Sequence, residues 1–211
     1  MRQGHYKYFP MVVSAPSGGG KTVVRSGLLK LDKRFAFSVT CTTRPRRRGE
    51  TDGKDYYFVT VEQFRRLRKE GKLLEWAVVH GNYYGTPVKP VVEALKKGRI
   101  PVMTIDVKGA RSVKRIFQEA VTVFLLPPEL KTLLRRLRCR GEAPENVAVR
   151  LETARSEIEA ASGFDYLVIN DGLPEAVREV AAIADSEARK MGRNLDKIKA
   201  FGKQLSEKKV F

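Results

Sequence analysis

The sequence is poor in the residues that build metal centres and disulfide frameworks, with two cysteines and two histidines in 211 residues. Cys41 and Cys139 stand far apart and outside any metal-ligand spacing, so both read as reduced thiols of an intracellular protein. His5 and His80 fall in no partner pattern, and neither is a candidate for catalysis. No apolar run approaches the length of a membrane span, and the opening MRQGHYKYFP lacks the apolar segment of a secretory signal. A cytoplasmic protein with no membrane partner is expected. Acidic side chains are scarce beside basic ones, 24 against 41, leaving a net charge of +17. Such an excess attracts anions without choosing among nucleic acid, anionic membranes and phosphorylated small molecules. The basic clusters RPRRR (44–48), RRLRK (65–69) and RRLRCR (135–140) lie in separate elements, and RRLRK reads as a solvated helix face.

What is present is a globular composition, 42% hydrophobic and 31% charged, long enough for one domain with small lobes. YFPMVVSA (8–15), IPVMTID (100–106), VTVFLLP (121–127) and YLVIN (166–170) read as short, doubly buried strands. Helical patterns follow each: Gly19 to Leu31, Lys108 to Phe117, Glu129 to Arg138 and Pro174 to Met191. The alternation predicts an α/β fold, a parallel sheet covered by helices. FAFSVT, DYYFVT and LLEWAVVHG crowd together with one helix between them, which predicts a small, largely antiparallel lobe inserted at 35–96. Thr60 and Gln63 form a capping-box signal for that helix, with Val61, Phe64 and Leu67 turned inward. A second insertion, 136–162, reads as wholly helical, and the tail after Met191 as a polar helix or partly loose.

SAPSGGGKT (14–22) follows the first strand directly. It matches G-x-x-x-x-G-K-[ST] with Ala15 in place of the first glycine, then Pro16, Ser17, Gly18, Gly19, Gly20, Lys21 and Thr22. Small residues let the main chain curl so that successive N–H groups and the next helix's N-terminus face a polyphosphate. Lys21 then reaches the β- and γ-phosphates, and the Thr22 hydroxyl is placed for Mg²⁺. A nucleoside triphosphate, ATP first among them, is the expected ligand.

A second constellation lies in FSVTCTTRPRRRGETDGKDYYFV (37–59), LLEWAVVHGNYYGTP (73–87) and TIDVKGA (104–110). Arginine forks take phosphate oxygens bidentately and a tyrosine hydroxyl adds a bond, which describes a site for a monophosphate. A carboxylate at Glu75 can accept both N1–H and the 2-amino N–H of guanine, whereas adenine offers an unprotonated N1 there. Rejecting the wrong base by leaving a buried acceptor unpaired is worth a factor on the order of 10⁴.

APSGGGK, TTRPRRRGE, GKDYYFV, EWAVVHGNYYGT, RLRCRG and INDGL occur in one order, and from about Phe9 to Met191 the chain resembles the guanylate kinases. The resemblance implies transfer of the γ-phosphoryl of ATP to GMP with Mg²⁺. It implies a P-loop NTPase-type parallel sheet flanked by helices, with an inserted mixed or antiparallel GMP-binding lobe and a helical lid. The implied parts are a core of 1–39, 97–132 and 163–191, a GMP-binding lobe at 40–96, a lid at 133–162 and a basic tail at 192–211. GMP phosphate would be held by Arg44, Arg47, Tyr56 and Tyr84, and guanine by Thr40, Glu75 and Thr86, while Glu50 and Asp106 order that lobe and its ligand. ATP would lie on residues 15–22, with Arg140 and Asn170 near adenine. Arg136, Arg140 and Arg150 match lid arginines that close over the transferring group, so Lys21, Arg44, Arg136 and Arg150 are the catalytic candidates. The partners implied are ATP and GMP, with no specific nucleic acid and with a homo-oligomer left open.

The chain departs from the family pattern in two places. MTID puts Thr104 where the family usually has the first aspartate of Asp-x-Asp, leaving Asp106 alone, and the lid segment RGEAPENVAVRL is one residue short. Two other classes stay open: a non-catalytic module that binds phosphorylated peptide, disfavoured by the intact Lys21 and Thr22, and a nucleic-acid-dependent ATPase, suggested only by the charge.

Overall fold

A computed structural model describes residues 8–79, 81–138 and 144–207. His5, His80, Cys139 and the lid candidate Arg140 lie outside the described residues. The chain opens with strand β1 (Met11–Ser14), helix α1 (Lys21–Leu31) and strand β2 (Phe35–Phe37). Next come β3 (Cys41–Thr42), β4 (Tyr57–Phe58), α2 (Val61–Lys69), β5 (Leu73–Val79), β6 (Asn82–Pro87) and α3 (Val88–Lys96). The chain continues through β7 (Ile100–Met103), α4 (Val107–Ile116), β8 (Val121–Leu126), α5 (Leu130–Arg138) and α6 (Pro144–Glu159). A short turn at Ala160–Gly163 leads to β9 (Tyr166–Ile169), α7 (Leu173–Arg189) and α8 (Leu195–Glu207).

The larger sheet has the order β2-β7-β1-β8-β9, every pair parallel. Its central strand β1 is apolar throughout and buried on both faces, as a parallel strand between helical layers must be. Met11 and Val13 pack on one face with Val24 and Leu28 of α1 and Val177 and Val180 of α7. Val12 points the other way, with Val91 and Leu95 of α3 and Ala110 and Val113 of α4. Each fully buried Val or Leu contributes about 1.5–3 kcal/mol of transfer free energy. The loops after β1 and β7 leave from neighbouring strands at their carboxyl ends, the usual crevice of an open α/β sheet.

The smaller sheet has the order β4-β3-β6-β5. Its β3–β6 and β5–β6 pairs are antiparallel and its β3–β4 pair is parallel. Thr60 caps α2 with the reciprocal Thr60–Gln63 box, and Phe64 is fully buried, stacked on Tyr83 at 5.1 Å.

Several details differ from expectation. FAF (35–37) pairs with β7 in the larger sheet rather than in the insertion, because parallel pairing there covers the core edge. A second helix, α3, follows β6, with Val91 and Leu95 in the core. β9 is an edge strand, so Leu167 and Ile169 are exposed rather than doubly buried. Val61 is exposed at the first position of α2, where only Phe64 reaches the sheet fully. On the surface of the smaller sheet, Trp76 is half-exposed under Arg68, whose guanidinium lies 4.3 Å from the ring centroid. Among the described residues no helix is long and apolar enough to cross a membrane.

Candidate active site

The phosphate loop sits between the end of β1 and the start of α1. Gly18 and Gly20 have φ of 84° and 97°, left-handed conformations that a side chain would strain. Gly20 is the N-cap of α1, and no side chain caps that end, so the first N–H groups of the helix are left to an anion. Ala15 and Pro16 are buried at the loop's base, and Lys21 folds back so that Nζ donates to the Ala15 carbonyl. Thr22 is exposed at the helix start. Asn170, buried at the end of β9, donates from Nδ2 to the Gly19 carbonyl at 2.8 Å. Its amide is thus committed to holding the loop.

The helices after β8 approach the same loop. Arg136 of α5 donates from Nη2 to the Asn170 carbonyl at 2.9 Å, while its buried Nη1 has no partner among the described residues. Arg150 of α6 donates from Nη1 to Ser17 Oγ at 3.1 Å. Glu157, which no motif in the sequence marks, accepts from the Ser17 amide at 3.0 Å. Burial pushes the Glu157 carboxyl up, and the nearby Lys21 charge partly offsets it.

The smaller sheet carries the second constellation. Arg44 pairs with Glu50 at 2.6 Å and also donates to the Pro45 carbonyl at 2.7 Å. Glu50 accepts from the Arg47 amide at 2.8 Å, a bond that orders the turn carrying the exposed Arg47 side chain. The Arg44 hydrogen bond holds Glu50 below the ordinary carboxylate range. Tyr56 and Tyr84 meet edge to face at 6.0 Å, and the Arg44 guanidinium lies 5.5 Å from the Tyr56 ring. Arg25 of α1 also reaches this side: its guanidinium covers Phe37 at 3.9 Å, and its Nε is buried without a partner among the described residues. Burial lowers its pKa, against the opposing pull of Tyr56 and Asp55. Sequence reasoning missed Arg25 because VVRSG carries no motif of its own.

Glu75 and Thr86 face each other across β5 and β6. Glu75 is 7% exposed, Thr86 fully buried, and the Thr86 hydroxyl donates to Glu75 Oε1 at 2.5 Å. Burial raises the Glu75 carboxyl to about 7 despite that bond, and the Asp106 charge adds to the rise. Thr40 is nearly buried at the entry to β3. Asp106 caps α4 by accepting from Gly109 N at 2.7 Å. A Cβ on Gly109 would lie 3.1 Å from Glu75 Oε2, so this glycine lets α4 approach the carboxylate. Thr104, half-buried beside Asp106, brings no charge. Asp106 acts electrostatically on both Glu75 and Glu157, so its charge is felt at the Glu75–Thr86 pair and beside the loop at Ser17.

The guanylate kinase family model matches residues 7–187. The chain belongs to the guanylate kinase family. It is 43% identical over 189 residues to the guanylate kinase of Carboxydothermus hydrogenoformans, covering 89% of this chain and 93% of that one. With the guanylate kinase of Nitratidesulfovibrio vulgaris it shares 49% identity over 173 residues, 82% and 84% of the two chains. A crystal structure of guanylate kinase from Anaplasma phagocytophilum superposes with a TM-score of 0.74 at 33% identity, covering 90% and 92%.

Proposed function

We propose that these residues are where the protein binds ATP and GMP, and that they divide the work as follows. As a guanylate kinase, the protein phosphorylates GMP to GDP at the expense of ATP. The β- and γ-phosphates lie on the loop N–H groups and on Lys21. The GMP phosphate lies against Arg44, Arg47, Tyr56 and Tyr84, with Glu50 fixing Arg44. Thr40, Glu75 and Thr86 read guanine, Glu75 accepting N1–H and the 2-amino N–H as a carboxylate. The observation that supports this reading is the buried Glu75–Thr86 pair, a carboxylate set between β5 and β6 with the Thr86 hydroxyl as its donor, where an unpaired acceptor would be costly.

Phosphoryl transfer is carried by position and charge. An oxygen of the GMP phosphate, already anionic near neutral pH, attacks the γ-phosphorus in line. The bond from γ-phosphorus to the β–γ bridging oxygen breaks, and ADP leaves with that electron pair. No general base is required. Lys21, Arg44, Arg136 and Arg150 cover the charge spread over the equatorial oxygens, and Arg136 Nη1, without a partner among the described residues, is a donor for one of them. A correctly placed arginine contributes on the order of 10³-fold in such a transition state.

The residues fit Mg²⁺ in the manner of nucleotide kinases. Among the described residues no group of three or more His, Cys, Asp or Glu could hold a metal, so the ion would be held by the nucleotide's phosphates, water and the exposed Thr22 hydroxyl. When bound it neutralises the β- and γ-oxygens. A soluble, cytoplasmic enzyme fits these small-molecule substrates, with no specific nucleic acid or membrane partner.

The test is an assay of ADP formation with ATP and Mg²⁺, comparing GMP with AMP, CMP and UMP. Turnover with GMP alone, lost in Lys21→Ala, is expected. Equal turnover with AMP refutes the base-pocket assignment.

A further inference from the structure

Arg150 and Glu157 stand seven residues apart on α6, two helical turns, and therefore on one face. Both reach the same residue: Arg150 donates to the Ser17 hydroxyl at 3.1 Å and Glu157 accepts from the Ser17 amide at 3.0 Å. Between them Ala154, 1% exposed, packs on Leu133 and Leu137 of α5. Those two leucines also close on the loop, since a Cβ on Gly18 would lie 3.0 Å from Leu137 Cδ2. The helices after β8 are thus fastened to the phosphate loop at Ser17 by one cation and one anion over an apolar contact.

The anion is the unexpected partner. A carboxylate that is 8% exposed has taken an N–H of a loop whose curled backbone is shaped to hold phosphate oxygens. The groups acting on it are the Ser17 amide, Lys21 of α1 and Asp106 at the cap of α4, while Arg150 of its own helix reaches the Ser17 hydroxyl. Lys21 favours its charge, while burial and Asp106 oppose it.

We propose that Glu157 is a further positioning residue for the reaction: with Arg150 it clasps Ser17, and its carboxylate keeps a phosphate-loop N–H occupied until the triphosphate displaces it. Displacement removes one of the two ties between α6 and Ser17, so that Arg150, which makes the other, turns to the phosphoryl group only when nucleotide is in place. This rests on reading residues 15–22 as the ATP site. A negative charge held over the loop opposes a second one arriving there, so the clasp weakens ATP binding in exchange for that coupling.

The test is calorimetric titration of ATP with magnesium chloride, without GMP, into the full chain at pH 7.5 and pH 5.5, for the native protein, Glu157→Gln and Lys21→Ala. Glutamine keeps an acceptor for the Ser17 amide and removes the charge. ATP should bind Glu157→Gln about fivefold tighter than the native protein at pH 7.5. That ratio should be smaller at pH 5.5, because burial raises the Glu157 carboxyl and favours its neutral form as pH falls. Comparing the proteins at each pH cancels the titration of ATP itself. Equal or weaker binding by Glu157→Gln at pH 7.5, or a ratio that ignores pH, overturns the clasp and leaves Glu157 a structural tie. Should Glu157→Gln fail to fold, Glu157→Ala carries the same comparison, with tighter binding expected and unchanged or weaker binding overturning. ATP binding that survives Lys21→Ala refutes the phosphate-loop reading itself, whereas binding lost there and unchanged in Glu157→Gln refutes the clasp alone.

Discussion

Glu75 is a carboxyl poised near neutrality by burial, at about 7, and its proposed task requires the ionised form. GMP affinity should therefore fall as pH drops below about 7, approaching tenfold per unit in the acid limit. Calorimetry in buffers of different ionisation enthalpy should register proton release on GMP binding at pH 6. The same shift acts on stability with a definite sign. The folded pKa lies above the unfolded one, so the folded state disfavours the charge. That penalty is absent below the ordinary carboxylate range and grows to at most ~3 kcal/mol as pH rises past 7. Glu75→Gln should accordingly raise Tm at pH 8 and leave it little changed near pH 4, while GMP-over-AMP selectivity falls by two or more powers of ten. A Tm gain without lost selectivity would refute guanine reading by Glu75. Arg44 makes a separate case at this scale. Arg44→Lys keeps the charge but loses the planar fork between Glu50, Tyr56 and the ligand, and kcat/KM for GMP should drop on the order of 10²-fold in steady-state kinetics.

At the scale of elements, α2 supports the pocket without touching substrate. Its capping box fixes where the helix begins, and Phe64 then reaches Tyr83 and lies beneath Gly85, next to the Glu75–Thr86 pair in β5 and β6. Thr60→Ala should cost about 1 kcal/mol, a Tm decrease of about 2–4 °C by thermal denaturation. Because the cost falls on the support of the smaller sheet, KM for GMP should rise more than KM for ATP. The capping box was legible locally, since its two residues are three apart. The existence of α3 was not, because VKPVVEALKK follows β6 with no loop and a proline inside it, and only packing of Val91 and Leu95 beneath β7 reveals the helix.

At the scale of the whole molecule, the tail is held at its start, and α8 beyond it buries none of its residues. Arg193 is anchored by Glu187 and Glu119 and lies 4.3 Å from the Phe9 ring centroid. Beyond it α8 leaves Ile198, Phe201 and Leu205 exposed along one side, and none of its residues is buried. Ending the chain after Asn194 should change Tm by less than about 2 °C and leave kcat within twofold, because the cut exposes little new apolar surface. A large fall in Tm would mean that α8 is bound to the core.

The sequence by itself determined what depends on neighbours along the chain. The phosphate loop is one run of residues whose conformational needs, small side chains and positive φ, are written in its glycines. The alternation of buried strands with amphipathic helices likewise followed from local periodicity, and the ordered motifs named the family. Tertiary structure alone decided what depends on residues distant in sequence. Parallel pairing carried Phe35–Phe37 to the edge of the larger sheet. The adjacency of β1 and β7 placed Asp106 within electrostatic reach of both Glu75 and Glu157. Glu157 meets Ser17 across 140 positions, and in sequence it is one more glutamate on a charged helix. Its environment is made by α5, α6 and the loop packing together, and burial, which a local pattern does not encode, gives that carboxylate its role.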